Sequence, residues 1–228
     1  MGIPESVDLQ SLDSNHAVQP NLRYISPDGT RQDAAHAYVH PRLQDNKHHN
    51  LHVLVEHEVL RVLFDDKRAT GVEVRGTPHV HDDAGVHTIK ARKMVIVSTG
   101  TLGAPLLLER SGVGNRNVLD RSGISLVADV PGVGEGLQDH NSILAGYYTS
   151  LKSDETADDL LNGTVTFQQL LEQKDDMLTW NAAEVTGQIR PTDEEIETLL
   201  SPDARKLWDR DFKGVPNKPV AMIATASW

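Results

Sequence analysis

The period of apolar and polar positions changes several times along the chain, and each change predicts an element. Val59, Arg61 and Leu63 fall on one face of a strand, with Leu60, Val62 and Phe64 on the other. Gly71-Val72-Glu73-Val74-Arg75 alternates as a half-buried antiparallel strand does. Asp65-Asp66-Lys67 is the turn between them, Asp82-Asp83-Ala84-Gly85 marks a loop, and Val86 to Ala91 returns as a partner strand. With Leu51-His52-Val53-Leu54-Val55 as a further strand, the region reads as a β-meander. Met94 to Ser98 is apolar on both faces, the pattern of a central strand covered on two sides. It leads through Thr99-Gly100-Thr101 into a predicted helix with Pro105 in its first turn, Leu106 to Leu108 as its buried stripe and Gly112 at its end.

The flanking regions read differently. Residues 1 to about 35 are polar, with a turn at Ser26-Pro27-Asp28-Gly29, and Asp33 to Leu43 predicts a short helix that Pro41 stops. A short helix over about Asn117 to Arg121, then Gly123, precedes a strand from Ile124 to Val130. After Asn141 the character changes. Strands are expected at Ile143–Ser150 and Trp180–Ile189, and helical patterns follow Thr156 and Thr164. Thr192 with Glu195 forms a capping box, and Ser201-Pro202 starts another helix. The final run from Pro219 reads as a strand without a turn after it, so both ends are expected to be cut from something longer. The fold class is α/β, mixed with α+β character, with one domain over 1–140 and the beginning of a second over 141–228.

Charge and composition narrow the function classes. The formal net charge is −11, which opposes non-specific binding to nucleic acid or anionic membranes. The absence of cysteine excludes disulfides, thiolate metal sites, Fe–S clusters and a Cys nucleophile. No apolar run approaches the ~20 residues that span a bilayer, and no secretory signal is visible after Met1.

The chemistry concentrates around Val95-Ile96-Val97-Ser98-Thr99-Gly100 and the helix behind it. Glycine there admits a ligand close to the backbone, and a helix start offers unpaired N–H groups with positive partial charge. Gly100-Thr101-Leu102-Gly103-Ala104-Pro105-Leu106-Leu107-Leu108-Glu109-Arg110-Ser111-Gly112-Val113-Gly114 resembles the second signature of the glucose–methanol–choline (GMC) oxidoreductases, departing at Ala104, where the family has Ser or Thr. Val130-Pro131-Gly132-Val133-Gly134-Glu135-Gly136-Leu137-Gln138-Asp139-His140 is similar to the family's Pro-Gly-Val-Gly-x-Asn-Leu-x-Asp-His stretch, with Gly136 in place of Asn. Asn50 to Val59, with Gly71-Val72-Glu73-Val74, resembles the family's Asn-Leu-x-Val strand and the hairpin after it. Asp33-Ala34-Ala35-His36-Ala37-Tyr38-Val39-His40, Ala91-Arg92-Lys93, Ile189-Arg190-Pro191-Thr192 and Lys218-Pro219-Val220 are similar to runs of the family's peroxisomal alcohol (methanol) oxidases.

The resemblance implies the second half of an FAD-binding domain, followed by the start of a substrate domain built on an antiparallel sheet. It implies FAD as cofactor, contacted by the backbone of Val59 and by Ser98, Thr99 and Gly100. It implies that a small primary alcohol is oxidised to an aldehyde, with oxygen as acceptor. Peroxisomal or cytoplasmic location follows from kinship alone, and a homo-oligomer stays open. The family's catalytic histidine region and its N-terminal Gly-x-Gly-x-x-Gly have no counterpart here, so no catalytic residue is assigned and the chain alone is expected to be inactive. A non-catalytic nucleotide-binding or interaction module of the same fold is the alternative.

Eleven histidines raise the question of a metal. His36 and His40 share a helix face, His48, His49 and His52 cluster, and His79, His81 and His87 surround Asp82 and Asp83. Solvated loop histidines are the stronger reading of these sets, and no metal site is assigned. Ser111-Gly112 does not match a nucleophile elbow.

Overall fold

A computed structural model of the chain describes residues 2–11, 14–78, 80, 85–180 and 182–227. In chain order the elements are β1 (Ala17–Pro20), a π-helical turn (Ala35–Val39) running into α1 (His40–Gln44), β2 (His57–Asp65), β3 (Arg68–Gly76), β4 (Val86–Lys90), α2 (Gly100–Arg110), β5 (Val113–Gly114), α3 (Arg116–Arg121), β6 (Ala128–Asp129), α4 (Asp158–Leu161), α5 (Phe167–Gln173), β7 (Ala183–Ile189), α6 (Asp193–Leu199), α7 (Pro202–Asp211) and β8 (Ala221–Ala226). The chain is mixed α/β, with small, mostly antiparallel sheets. Contacts group it into two compact units, Met1–His49 with Tyr147–Trp228, and Asn50–Gly146.

The second unit holds the meander β2-β3-β4, antiparallel throughout. The alternating pattern decides its faces: Val62 and Val74 are buried, while Arg61 and Glu73, paired across the sheet, meet in a bidentate ion pair at 2.6 and 2.9 Å. Asp66 takes φ +50 in the expected turn. A register shift between Val59 and Arg61 leaves Leu60 as the extra residue of a bulge. The expected loop at Asp82 to Ala84 lies outside the described residues.

Behind the meander, α2 presents Leu107 and α3 presents the fully buried Leu119 to a small core. Gly112 ends α2 with φ +85, and its carbonyl accepts the amides of Val127 and Ala128 at 2.7 and 3.1 Å. That brings β6 parallel to β5. A Cβ at Gly112 would overlap the Ser125 carbonyl, so the crossing needs glycine for space as well as for conformation.

Several predicted elements take another form. Leu51–Val55 and Met94–Ser98 belong to no sheet. Met94 is 65% and Ile96 76% exposed, where a covered central strand was expected. A run apolar on both faces pairs only when neighbouring strands satisfy both edges, and the described residues supply none. Ile143–Ser150 forms no strand, and the strand expected at Ile124–Val130 shrinks to β6. Pro41 does not stop the first helix; it sits at the start of α1, where its missing N–H is harmless. Pro105 is inside α2, not in its first turn, because the helix already begins at Gly100. The Thr101 carbonyl therefore lacks its intrahelical partner.

The first unit holds the sheet β1-β7-β8, whose central strand β7 pairs antiparallel with both neighbours. Leu170, Ile196 and Trp208, from α5, α6 and α7, are buried in this unit. The helix starts follow the sequence signals: Thr192 and Glu195 form the capping box of α6, and Ser201 caps α7 with Pro202 in its first turn. The cap of α5 is Thr166, two residues beyond the expected Thr164.

Candidate functional site

The start of α2 departs from the expected buried strand and turn: Met94–Ser98 is unpaired, and the helix already begins at Gly100. Thr99 is the N-cap residue, and no side chain caps the helix. The first N–H groups of Gly100, Thr101 and Leu102 thus face outward without an intrahelical acceptor. Gly100 has φ +78, and a Cβ there would meet nothing within 4 Å. Ser98, Thr99 and Gly100 are all exposed and contiguous at this edge.

One face of α2 forms a pocket of about 700 Å³ with the loop that follows β6. Thr101, Leu102, Ala104, Pro105 and Leu108 line it from the helix, and Val133 to Gln138 line it from the loop. Two features seat the loop. Its turn closes with the Val133 amide on the Val130 carbonyl at 3.1 Å, and a Cβ at Gly134, where φ is +80, would come within 3.4 Å of the Glu109 carboxylate and 3.9 Å of Pro105. The wall mixes apolar side chains with polar ones, Thr101, Glu135 and Gln138.

Ser98, Thr99 and Gly100 adjoin this pocket through Thr101 but do not line it, and neither does Val59. Val59 lies in β2, beside the opposite end of α2. Glu58 faces Arg110 at 3.7 Å, and the Val62 amide donates to Ser111 Oγ at 2.8 Å. The residues quoted for the resemblance but not assigned a contact, Thr101 to Leu108 and Val133 to Gln138, are those the tertiary structure brings together. Both departures from the family pattern, Ala104 and Gly136, are in the pocket wall. Gly136 has φ +68, and nothing lies within 4 Å of where its Cβ would be. The pocket therefore has more free space and one hydroxyl and one amide fewer than the family pattern would put there.

Residues 1–142 match the model of the family described as GMC oxidoreductase. The chain belongs to the GMC oxidoreductase family. Alcohol oxidase of Pichia angusta is 35% identical over 99% of this chain, and alcohol oxidase of Candida boidinii is 32% identical over 99%. In both cases the match covers 34% of the relative, so this GMC chain spans about a third of the length of the curated relatives it matches. The fold is similar to that of a crystal structure of formate oxidase, with TM-score 0.76 at 19% identity over 100% of this chain and 38% of that one. It is also similar to an FAD-dependent oxidoreductase from Chaetomium thermophilum, with TM-score 0.71 at 22% identity over 100% of this chain and 43% of that one. Among the described residues, no helix is long and apolar enough to cross a membrane, and no group of three or more metal-ligating side chains converges.

Proposed function

We propose that this GMC chain is the cofactor-facing part of an FAD-dependent oxidase that converts a small primary alcohol to its aldehyde, with oxygen as acceptor. The observation that carries the reading is the pocket between α2 and the Val133–Gln138 loop, which adjoins an uncapped helix start whose Gly100 admits close backbone approach. These features fit a dinucleotide. Unpaired amides suit a pyrophosphate, and the apolar side chains Leu102, Pro105, Leu108 and Leu137 beside polar Thr101, Glu135 and Gln138 suit a ring system with polar edges. Gly100 opens α2, and the strand of Val59 meets its last turn, so a ligand touching both would extend along a helix roughly 16 Å long. Residues 1–140 would be the second half of an FAD-binding domain, and residues 141–228 the start of a substrate domain.

In such an enzyme the bound flavin would supply the redox chemistry. This chain's share is positioning. The backbone at Val59 would hold the adenine end, Ser98 to Gly100 would line the dinucleotide path, and Leu102, Pro105 and Leu108 would keep water from one face of the pocket. No residue here is assigned to take the alcohol's proton.

The test is to titrate the purified chain with FAD, following flavin fluorescence, and to assay peroxide release with methanol. Quenching that disappears when Leu102→Trp fills the pocket, without peroxide, is expected. Absence of any flavin affinity would remove the cofactor role. Robust turnover would show that the chain holds catalytic groups of its own.

A further inference from the structure

Asp33 lies just before the helix that carries His36 and His40 in the first unit, away from the pocket residues in sequence. The rings of His36 and His40 are 5.2 Å apart between centroids, inclined at 66°. Asp33 Oδ1 accepts the backbone N–H of His36 at 2.9 Å and lies 2.7 Å from its ring Nδ1. Arg31 Nε holds the other carboxylate oxygen at 2.9 Å. An ionised carboxylate only accepts hydrogen bonds, so Nδ1 of His36 carries the proton and Nε2 keeps the lone pair. This is the carboxylate–imidazole arrangement that orients a metal-binding histidine and raises its basicity.

The ring separation can be compared with what chelation requires. A metal–nitrogen bond of about 2.0–2.1 Å puts each ring centroid about 3.2 Å from the ion, and a cis angle between square and tetrahedral then separates the two centroids by about 4.5–5.2 Å. The observed separation is at the upper end of that window. Both rings are exposed, which leaves the remaining coordination positions to water. No third histidine or carboxylate converges on them among the described residues. Two neutral imidazoles without a thiolate favour a borderline first-row ion, and the Irving–Williams order places Cu(II) at the top.

We propose that His36 and His40, with Asp33 behind His36, form a surface two-nitrogen site for a divalent first-row transition metal, taking Cu(II) most tightly. The spacing of the two histidines in the sequence permits this, and the ring separation and the Asp33 contact make it specific. It is independent of the flavin reading and involves no residue of the pocket.

The experiment titrates the chain, purified without an affinity tag, with Cu(II) in a non-coordinating buffer. Calorimetry gives stoichiometry and affinity, and electron paramagnetic resonance counts bound nitrogens. Because His48 and His49 could bind copper too, H48A/H49A is run beside H36A/H40A and D33A, with circular dichroism to confirm folding. The tightest equivalent should show two nitrogens, persist in H48A/H49A, weaken about tenfold in D33A and vanish in H36A/H40A. A tightest equivalent that survives at unchanged affinity in folded H36A/H40A, or that shows no second nitrogen in the wild type, overturns the site.

Discussion

The hydroxyl of Ser111 accepts the Val62 amide at 2.8 Å and donates to the Leu107 carbonyl at 2.6 Å. One buried side chain thus satisfies an N–H on the open edge of β2 and ties it to the last turn of α2. This joins the meander to the helix that carries the pocket. Replacing Ser111 with Ala leaves the Val62 donor buried without an acceptor, which costs about 1–3 kcal/mol. Urea denaturation of S111A should show a lower midpoint, and if the pocket takes the flavin, its affinity should fall as α2 loses its anchor.

Gly112 makes the next step of the same joint. Its φ of +85 and the missing space beside Ser125 and Val127 act together. G112A is expected to destabilise the chain by about 1–3 kcal/mol, with a lower thermal midpoint. Alanine at Gly136, where φ is +68 but space is free, should cost less.

In the first unit the Arg190 guanidinium lies 4.6 Å from the centroid of the Trp208 ring and donates to the carbonyls of Lys218 and Phe212 at 2.7 and 2.8 Å. It stacks and closes the end of α7 at once, which a point charge cannot do. R190M should lose about 1–3 kcal/mol and red-shift tryptophan emission as Trp208 gains water. R190K should recover only part of both, since lysine cannot bridge the two carbonyls in a fixed fork.

Arg61 holds the Glu73 carboxyl below the ordinary glutamate range through its paired hydrogen bonds. A lowered folded value means that the pair stabilises the chain above the unfolded glutamate value of about 4.3. The contribution is lost as pH falls through the lower folded value. E73Q should therefore flatten the acid limb of a stability–pH profile in that window while leaving its slope near neutrality unchanged. Because the pair is solvent-exposed, the difference should shrink at about 1 M salt.

Ala104 and Gly136 face the same pocket. The left-handed conformation at Gly136 is one that asparagine tolerates, and the open space around it admits a side chain. If the pocket takes the flavin, A104S/G136N should bind FAD about tenfold more tightly, on the order of one good hydrogen bond, in the fluorescence titration. An unchanged or weaker affinity would place the flavin elsewhere.

Local signals in the amino-acid order determined much of this chain. Alternation set the faces of β2 and β3, Thr192 with Glu195 and Ser201 with Pro202 fixed two helix starts, and the blocks around Gly100 and Gly134 pointed to the family. These are readable because each depends on residues a few positions apart. The tertiary structure alone decided that the two blocks form opposite walls of one pocket, that Ala104 and Gly136 share it, and that Ser111 reaches Val62. It also decided that Leu51–Val55 and Met94–Ser98, apolar enough for strands, stay outside any sheet. A strand is completed by hydrogen bonds to another segment, so its hydrophobic pattern states a capacity, and only the presence of a partner turns that capacity into structure.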